Sequence, residues 1–475
     1  MNIIRLIAGV WLTCAAGAAL AQPIRMPLPS DFPATPADPV APIPRAAPVS
    51  AATPTPTLAP TQAPPSVAAG PVKTAPALVA SPVKAATPAP ANQDPVPTLQ
   101  PITLIATQKA VERYEAIVRA GGWPTDIGEI RPKTIGPDVA KLRKRLAIEG
   151  DLGPDAPADG PAAQIWDKTL AEAVKHFQTR VGLRPTGVVF GATVAQLNVP
   201  AEARAQALAA SAARLSTFNF GFGERYVVVN LPSTEVEAIE HGEVVHRYNA
   251  IVGDPDHPSP QIAAHIMNVN LNPTWTVPVS IIKREIIPRM QRDPSYLARE
   301  KIRILDGSGA EIDPKSIDWT TQKAVNYTLR QDAGSGNSLG QIRIDMPNRQ
   351  AVYMHDTPGK RLFGADYRFL SHGCVRVQGV YDYAEWLLAG TPDAAGLPWD
   401  KSELLAKVKE GAPVAIRLVK AAPVIWTYLT GWANDDGPAH FRTDVYGLDN
   451  PQPVAVAAPA PASAAVATAA RPPVP

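Results

Sequence analysis

The sequence predicts a multi-domain α+β protein. A mainly-β, sandwich- or barrel-like domain carries a helical insertion and is preceded by a small three-helix module. A Pro/Ala-rich linker and tail, expected to be disordered, flank these parts. Three observations carry that expectation. The 53 prolines of the 475 residues crowd the two ends. Between those ends the apolar residues first recur at helical spacing, and from Arg225 onward they alternate with period two. A helix-like stretch, "IKREIIPRMQRDPSYLAREK", interrupts that alternation.

Residues 1–21 have the features of a secretory signal: Arg5 as a positive start, the apolar run "LIAGVWLTCAAGAAL", and Ala19-Leu20-Ala21 as a small-residue cleavage site. The run is too short and ends in residues too small for a membrane anchor, so no integral span is expected once the signal is removed. The context "WLTC" is poor for lipidation of Cys14, and this cysteine is expected to leave with the signal. Residues 22–100, for example "AATPTPTLAPTQAPP", hold few large apolar groups, so they cannot bury a core and act as an extended spacer. Residues 451–475 are the same kind of material. The formal net charge of +2 offers no basic face for nucleic acid.

A helical region is expected over 101–223. "KAVERYEAIVRAGGWP" has helical spacing and stops at Gly121-Gly122. In "GPDVAKLRKRLAIEGDL", Val139, Leu142 and Leu146 share one face. In "WDKTLAEAVKHFQTRVGL", Leu170, Ala173, Val174 and Phe177 do the same. "TGVVFGATVAQLNV" supplies a turn and a third short helix. Over 134–199 this arrangement resembles the peptidoglycan-binding domain of cell-wall enzymes, with "DGPAAQIWDKT" departing from the usual turn before the second helix.

Residues 224–420 form the mainly-β domain. "RYVVVNLP", "EVEAIEHG", "EVVHRYNAIVG", "HIMNVNLNP", "GQIRIDMP" and "AVYMHDTP" alternate and are bounded by Gly, Pro and Asn. The insertion, placed at 281–337, is expected over one end of the sheet. "VYDYAEWLLAG" is a helix with Val380, Ala384, Leu387 and Leu388 inward. "VAIRLVK" follows. Residues 421–450 are expected to close the fold, with Asp436-Gly437 as a hairpin turn.

The chemistry centres on "FLSHGCVRV". If "CVRV" is extended, Cys374 and Arg376 point one way while Val375 and Val377 enter the core. Cys374 and Cys14 are the two cysteines of the chain, so after signal removal Cys374 has no intramolecular partner and stands as a free reactive group or an intermolecular link. His355 shares a strand face with Tyr353. Fifteen residues separate it from Ser371. An imidazole beside a thiol can generate the thiolate nucleophile at neutral pH. Gly373 permits a tight backbone whose amides, with that of Cys374, could meet an oxyanion. Arg376 supplies a cation for an anionic substrate group.

The pattern H-x15-S-H-G-C-x-R, together with "VNLP", "NPTWTVP", "LRQDAGSGNSLG", "MHDTP", "LFGADYRFLSHGCVRV" and "FRTDVYGLD", resembles the L,D-transpeptidases with a YkuD-type catalytic domain, in particular their larger periplasmic members. Those also carry a peptidoglycan-binding domain and a capping insertion. The resemblance implies an exported, envelope-located acyltransferase without metal or other cofactor. In it Cys374 attacks the carbonyl of the third residue of a tetrapeptide stem and expels D-alanine, and His355 takes the thiol proton. The amine of a second stem then resolves the thioester into a 3→3 cross-link. His372 belongs to the motif as a proton-handling or loop-shaping residue. Arg376 and Tyr353 are the candidate substrate-binding side chains. "GDPDHPSP" departs from the relatives. Family members accept carbapenems as acyl donors.

Other readings are weaker. Ser280-Ile281-Ile282-Lys283 and Ser335-Gly336-Asn337 match two serine-transpeptidase motifs, yet no K-T-G or K-S-G triplet follows. His355, His372 and Cys374 fall short of a closed zinc set. In papain-like wall hydrolases the cysteine precedes the histidine, and here His355 comes first. The same acyl transfer could attach an envelope protein to the wall, or the chain could be a non-catalytic wall-binding protein. His176, His246, His257 and His265 are read as ordinary surface or half-buried residues, and Trp275 as a packing anchor.

Overall fold

The computed structural model describes residues 95–157 and 159–450. The expected signal, nearly all of the linker and the tail lie outside the described residues. Among the described residues no helix is long and apolar enough to cross a membrane.

Five helices come first: α1 (Thr103–Arg119), α2 (Pro137–Glu149), α3 (Lys168–Arg180), α4 (Ala192–Leu197) and α5 (Ala201–Leu215). Pro137 opens α2 at a position where its missing N–H costs nothing, and Gly150 closes it in the left-handed conformation. Asp167 caps α3 by accepting from Leu170 N–H at 2.8 Å. The residues placed inward by spacing are inward: Val139, Leu142, Leu146, Leu170, Ala173, Val174 and Phe177 all lie in the helical core. That core also holds charge. Glu149 binds Arg145 at 2.6 Å and Tyr114 Oη at 2.8 Å, and contacts Arg180. Burial opposes the Glu149 charge, but Arg180, Arg145 and Arg204 outweigh it and hold the carboxyl down at about 2.

The main sheet has nine strands: β1 (Arg225–Asn230), β2 (Glu235–Glu240), β3 (Glu243–Gly253), β4 (Ile262–Leu271), β5 (Ile342–Asp345), β6 (Met354–His355), β7 (Phe369–Ser371), β8 (Val375–Val377) and β9 (Val414–Thr427). Its order is β7-β3-β8-β6-β5-β4-β9-β1-β2, and β2 also pairs with β3. The β2–β3 pairing closes the sheet on itself and leaves the three-residue β7 as a short edge. Val227, Val229, Val269, Ile344, Met354, Val375 and Val377 fill its interior, together with Val380, Ala384, Leu387 and Leu388 of the helix Val380–Leu388.

Four expectations are corrected. Order begins before residue 101: Thr98 N–H and Oγ1 each donate to Glu237 at 2.8 Å, and Leu99 packs with Leu215 and Tyr226. The insertion is not simply helical. It starts at Trp275, and Trp275–Thr276, Thr328–Gln331, Ile302–Leu305 and Glu311–Ile312 make a separate four-stranded sheet beside its helices. It has its own core of Val277, Ile282, Ile286, Met290, Ile304 and Leu329. The boundary at 420 falls inside one continuous strand, β9, which bends at a bulge between Arg417 and Ala422. The hairpin through Asp436-Gly437 exists, pairing Gly431–Trp432 with His440–Phe441, but it leaves the main sheet. Ala433, Ala439 and Phe441 complete the helical core instead.

Candidate active site

Strands β6 and β8 run parallel, with Met354 opposite Val375 and His355 opposite Arg376. Val375 N–H donates to the Tyr353 carbonyl at 3.2 Å, extending that register to Tyr353 and Cys374. Aligned residues of parallel strands project to one side, and residues two apart share a face. Cys374, Arg376, Tyr353 and His355 therefore occupy one face, while Met354, Val375 and Val377 fill the core behind them. On the neighbouring β5, Arg343 is opposite His355. Arg343 pairs with Asp345 at 2.7 Å, and Asn270 holds the same carboxylate at 2.9 Å.

Cys374 is a free, half-buried thiol. Burial pushes it above the ordinary thiol range, against the pull of Tyr353 and the Arg376 guanidinium. His355 is only 5 % exposed. Burial and the charge of Arg376 push its imidazole down to about 3, against a smaller opposing effect from Asp356 and Leu339. The resting site thus pairs a neutral thiol with a neutral imidazole. His355 Nδ1 and Arg376 Nε are both buried without a hydrogen-bond partner, and no carboxylate forms an ion pair with Arg376 among the described residues. The Arg376 side chain is half-buried, and the charges acting on it are those of Cys374 and of Glu285 from the insertion, so its free Nε is placed to meet an anion.

The loop before Cys374 is set by small contacts. Gly373 stands at φ +105°, in the region that favours glycine. Ser371 Oγ donates to the Cys374 carbonyl at 2.6 Å and accepts from Gly373 N–H at 3.2 Å. This narrows the oxyanion expectation: Gly373 N–H is already engaged, and Cys374 N–H is the motif amide without a partner among the described residues. Ser259 Oγ donates to the Gly373 carbonyl at 2.8 Å and accepts from Gly253 N–H at 2.9 Å. Tyr446 Oη donates to the Gly253 carbonyl at 2.7 Å.

His372 lies on the rim, apart from the buried His355. Its Nε2 is 3.1 Å from Glu285 Oε1 of the insertion, and its ring sits 4.6 Å from that of His257. His257 is therefore part of the site's surround, a correction to its reading as an ordinary residue. Asp254 meets its Nδ1 at 3.0 Å, and Arg284 of the insertion meets its Nε2. Tyr353 Oη is raised by burial and by Cys374, while Arg343 and Trp275 act in the other direction. Trp275 thus reaches the site as well as packing the insertion. Ser280 and Lys283 are exposed with no bond joining them, and Asn337 uses its amide to hold the carbonyls of Pro273, Gln331 and Asp332. Neither motif therefore brings a serine and a lysine into contact.

Two family models match stretches of this chain. The family model of the L,D-transpeptidase catalytic domain (YkuD) matches residues 224–416. Over these residues the chain is similar to L,D-transpeptidase catalytic domains. A peptidoglycan binding domain matches residues 135–197 ahead of it. A Haemophilus influenzae protein named as an L,D-transpeptidase is 34% identical over 225 residues, which is 47% of this chain and 44% of that protein. The chain thus spans less than half the length of that curated relative. Among solved structures, an L,D-transpeptidase from Xylanimonas cellulosilytica is 18% identical, covering 64% of this chain and 100% of that one at a TM-score of 0.21. One from Stackebrandtia nassauensis is 12% identical, covering 65% and 97% at a TM-score of 0.25. Ser371 was visible inside the quoted motif of the catalytic domain. Ser259 and His257 lay in a stretch that departs from the relatives, and only the fold reveals their contacts.

Proposed function

We propose that the protein is an exported peptidoglycan L,D-transpeptidase of the periplasm or cell envelope that forms 3→3 cross-links through a thioester on Cys374. The observation that carries the reading is the shared face of Cys374, His355 and Arg376, with Glu285 of the insertion reaching the neighbouring His372. His355 takes the thiol proton as Sγ attacks the carbonyl of the third residue of a tetrapeptide stem. Cys374 N–H meets the developing oxyanion, and the proton then passes to the departing D-alanine amine. Arg376 holds a stem carboxylate, and Tyr353 lines the acyl side. The amine of a second stem resolves the thioester. The domain over 135–197 supplies affinity for the wall, so the donor is presented near the site. No step calls for a cofactor.

Muropeptide analysis tests this directly. Cells expressing the protein should accumulate 3→3 dimers, and cells expressing Cys374→Ala should not. Equal dimer content in the two would remove the proposal. A carbapenem should likewise load Cys374, as ertapenem acylates a catalytic domain from E. faecium.

A further inference from the structure

We propose that His372 and Glu285 form a second dyad that accepts the proton of the incoming amine. It rests on the reading of the protein as a thioester enzyme resolved by an amine, and it divides the two half-reactions between two histidines.

Resolving a thioester with a stem peptide poses a separate proton problem. The acceptor is a primary amine, present mostly as R–NH3⁺ near neutral pH. It must lose one proton before its lone pair can attack. His355 is buried on the sheet face beneath the cap, beside the thiol, and is suited to the first half-reaction. His372 is two residues from the nucleophile and 38% exposed, at the rim where an acceptor arrives.

The geometry around His372 is that of an oriented base. Glu285 Oε1 lies 3.1 Å from Nε2, and its other oxygen accepts from Arg289 Nη2 at 3.0 Å. Oε2 is held by Arg289, and Oε1 faces the ring. A ring proton on Nε2 would point toward this carboxylate, which leaves Nδ1 free to accept. Nδ1 has no partner among the described residues. His257 packs against the ring at 4.6 Å but cannot compete as a base: Asp254 occupies its Nδ1 and the Arg284 guanidinium its Nε2. The sequence supports the same separation, since Glu285 comes from the insertion and His372 from the barrel. Glu285 also sits in a π-helical turn, Ile282–Ile286, just before Pro288. The proline ring cannot continue the regular bonding, and such widened turns are frequent at functional positions.

The step balances. R–NH3⁺ gives one proton to His372 Nδ1, forming R–NH2 and an imidazolium paired with Glu285. The nitrogen lone pair forms the C–N bond at the thioester carbonyl. The C–S bond breaks with its electron pair going to Sγ. The second proton of the attacking nitrogen passes to that thiolate through His355, leaving an amide and the free thiol. His372 returns its proton to solvent.

The test measures loading of Cys374 by a tetrapeptide stem and its discharge to an added stem amine or to water, from pH 5.5 to 9, for wild type, Glu285→Gln and His372→Gln. The account expects transfer to fall about 10²-fold or more relative to loading in each variant, the lower end of a general-base effect. It also expects the water-derived product to rise in share. The wild-type inflection in the transfer profile should vanish in both variants, and the double variant should be no worse than the poorer single one. Added imidazole should restore part of the transfer in His372→Ala. An unchanged transfer-to-loading ratio, or loading and transfer falling in step, would overturn the assignment. A wild-type protein that never loads would instead remove the broader reading.

Discussion

At the scale of single residues the site is defined by two neutral partners. The structure raises the Cys374 thiol and lowers the His355 imidazole, so a resting thiolate–imidazolium pair is not stabilised. This predicts how the thiol titrates. Alkylation of Cys374 by iodoacetamide should accelerate with an inflection above the ordinary thiol value of about 8.5. A preformed ion pair would react well below that pH, and such a profile would contradict the structure. His355→Ala should slow acylation by a good donor about 10²–10⁴-fold. The same burial has a stability consequence. Between pH 6.5 and about 3 the unfolded chain protonates this histidine while the folded one does not. Stability should therefore fall as the pH drops below 6.5, by about 1.4 kcal/mol per pH unit for such a group. That Cys374 shares a face with Arg376, and His355 with Tyr353, was legible from alternation, because a strand leaves only two faces to choose from. The state of the imidazole was not, since it depends on Arg376 and on burial by residues distant in sequence.

At the scale of elements the critical feature is the junction of β3 with the loop that follows it. A Cβ on Gly253 would lie 2.2 Å from the His257 carbonyl oxygen and 2.5 Å from Ser259 N. Real side chains do not sit so close, so Gly253→Ala must displace the loop that carries both the Ser259–Gly373 bond and His257. We expect about 1–3 kcal/mol of destabilisation. Acylation should fall more than the stability loss alone would cause, because the loop sets the position of Cys374. A folded Gly253→Ala protein with wild-type acylation kinetics would show that the loop does not set the nucleophile. The sequence made strands and helices plain where apolar periodicity was unbroken. It understated the insertion, whose strands are two to four residues long. Runs that short carry no readable alternation, whereas its helix does. The helix–barrel boundary was blurred for a related reason: the terminal ribbon has strand character locally, but the apolar partners of Phe441 belong to the helices.

At the scale of the whole molecule that ribbon joins the two parts. Phe441 packs edge-on to Tyr114, with Arg204 over its ring at 4.4 Å. Arg180 donates to the Ala439 carbonyl at 3.0 Å, and Arg113 donates to the Asp436 and Gly437 carbonyls at 2.6 Å each. A chain tied this way should unfold in one transition. Phe441→Ala should cost about 3–5 kcal/mol and separate the melting of the helical region from that of the barrel. A mutant that still melts in one transition at the wild-type temperature would contradict that coupling. The join also ties residues of the 135–197 domain to the C-terminal ribbon of the β domain. Everything in this account depends on an acyl group passing through that one sulfur. The most direct measurement is mass analysis of the protein quenched during turnover with a purified tetrapeptide stem, followed by peptide mapping. The account predicts an adduct equal to the stem minus its terminal D-alanine, carried on the peptide that contains Cys374 and absent in Cys374→Ala. Turnover with an unmodified Cys374, or an acyl group mapped to Ser280, would contradict it.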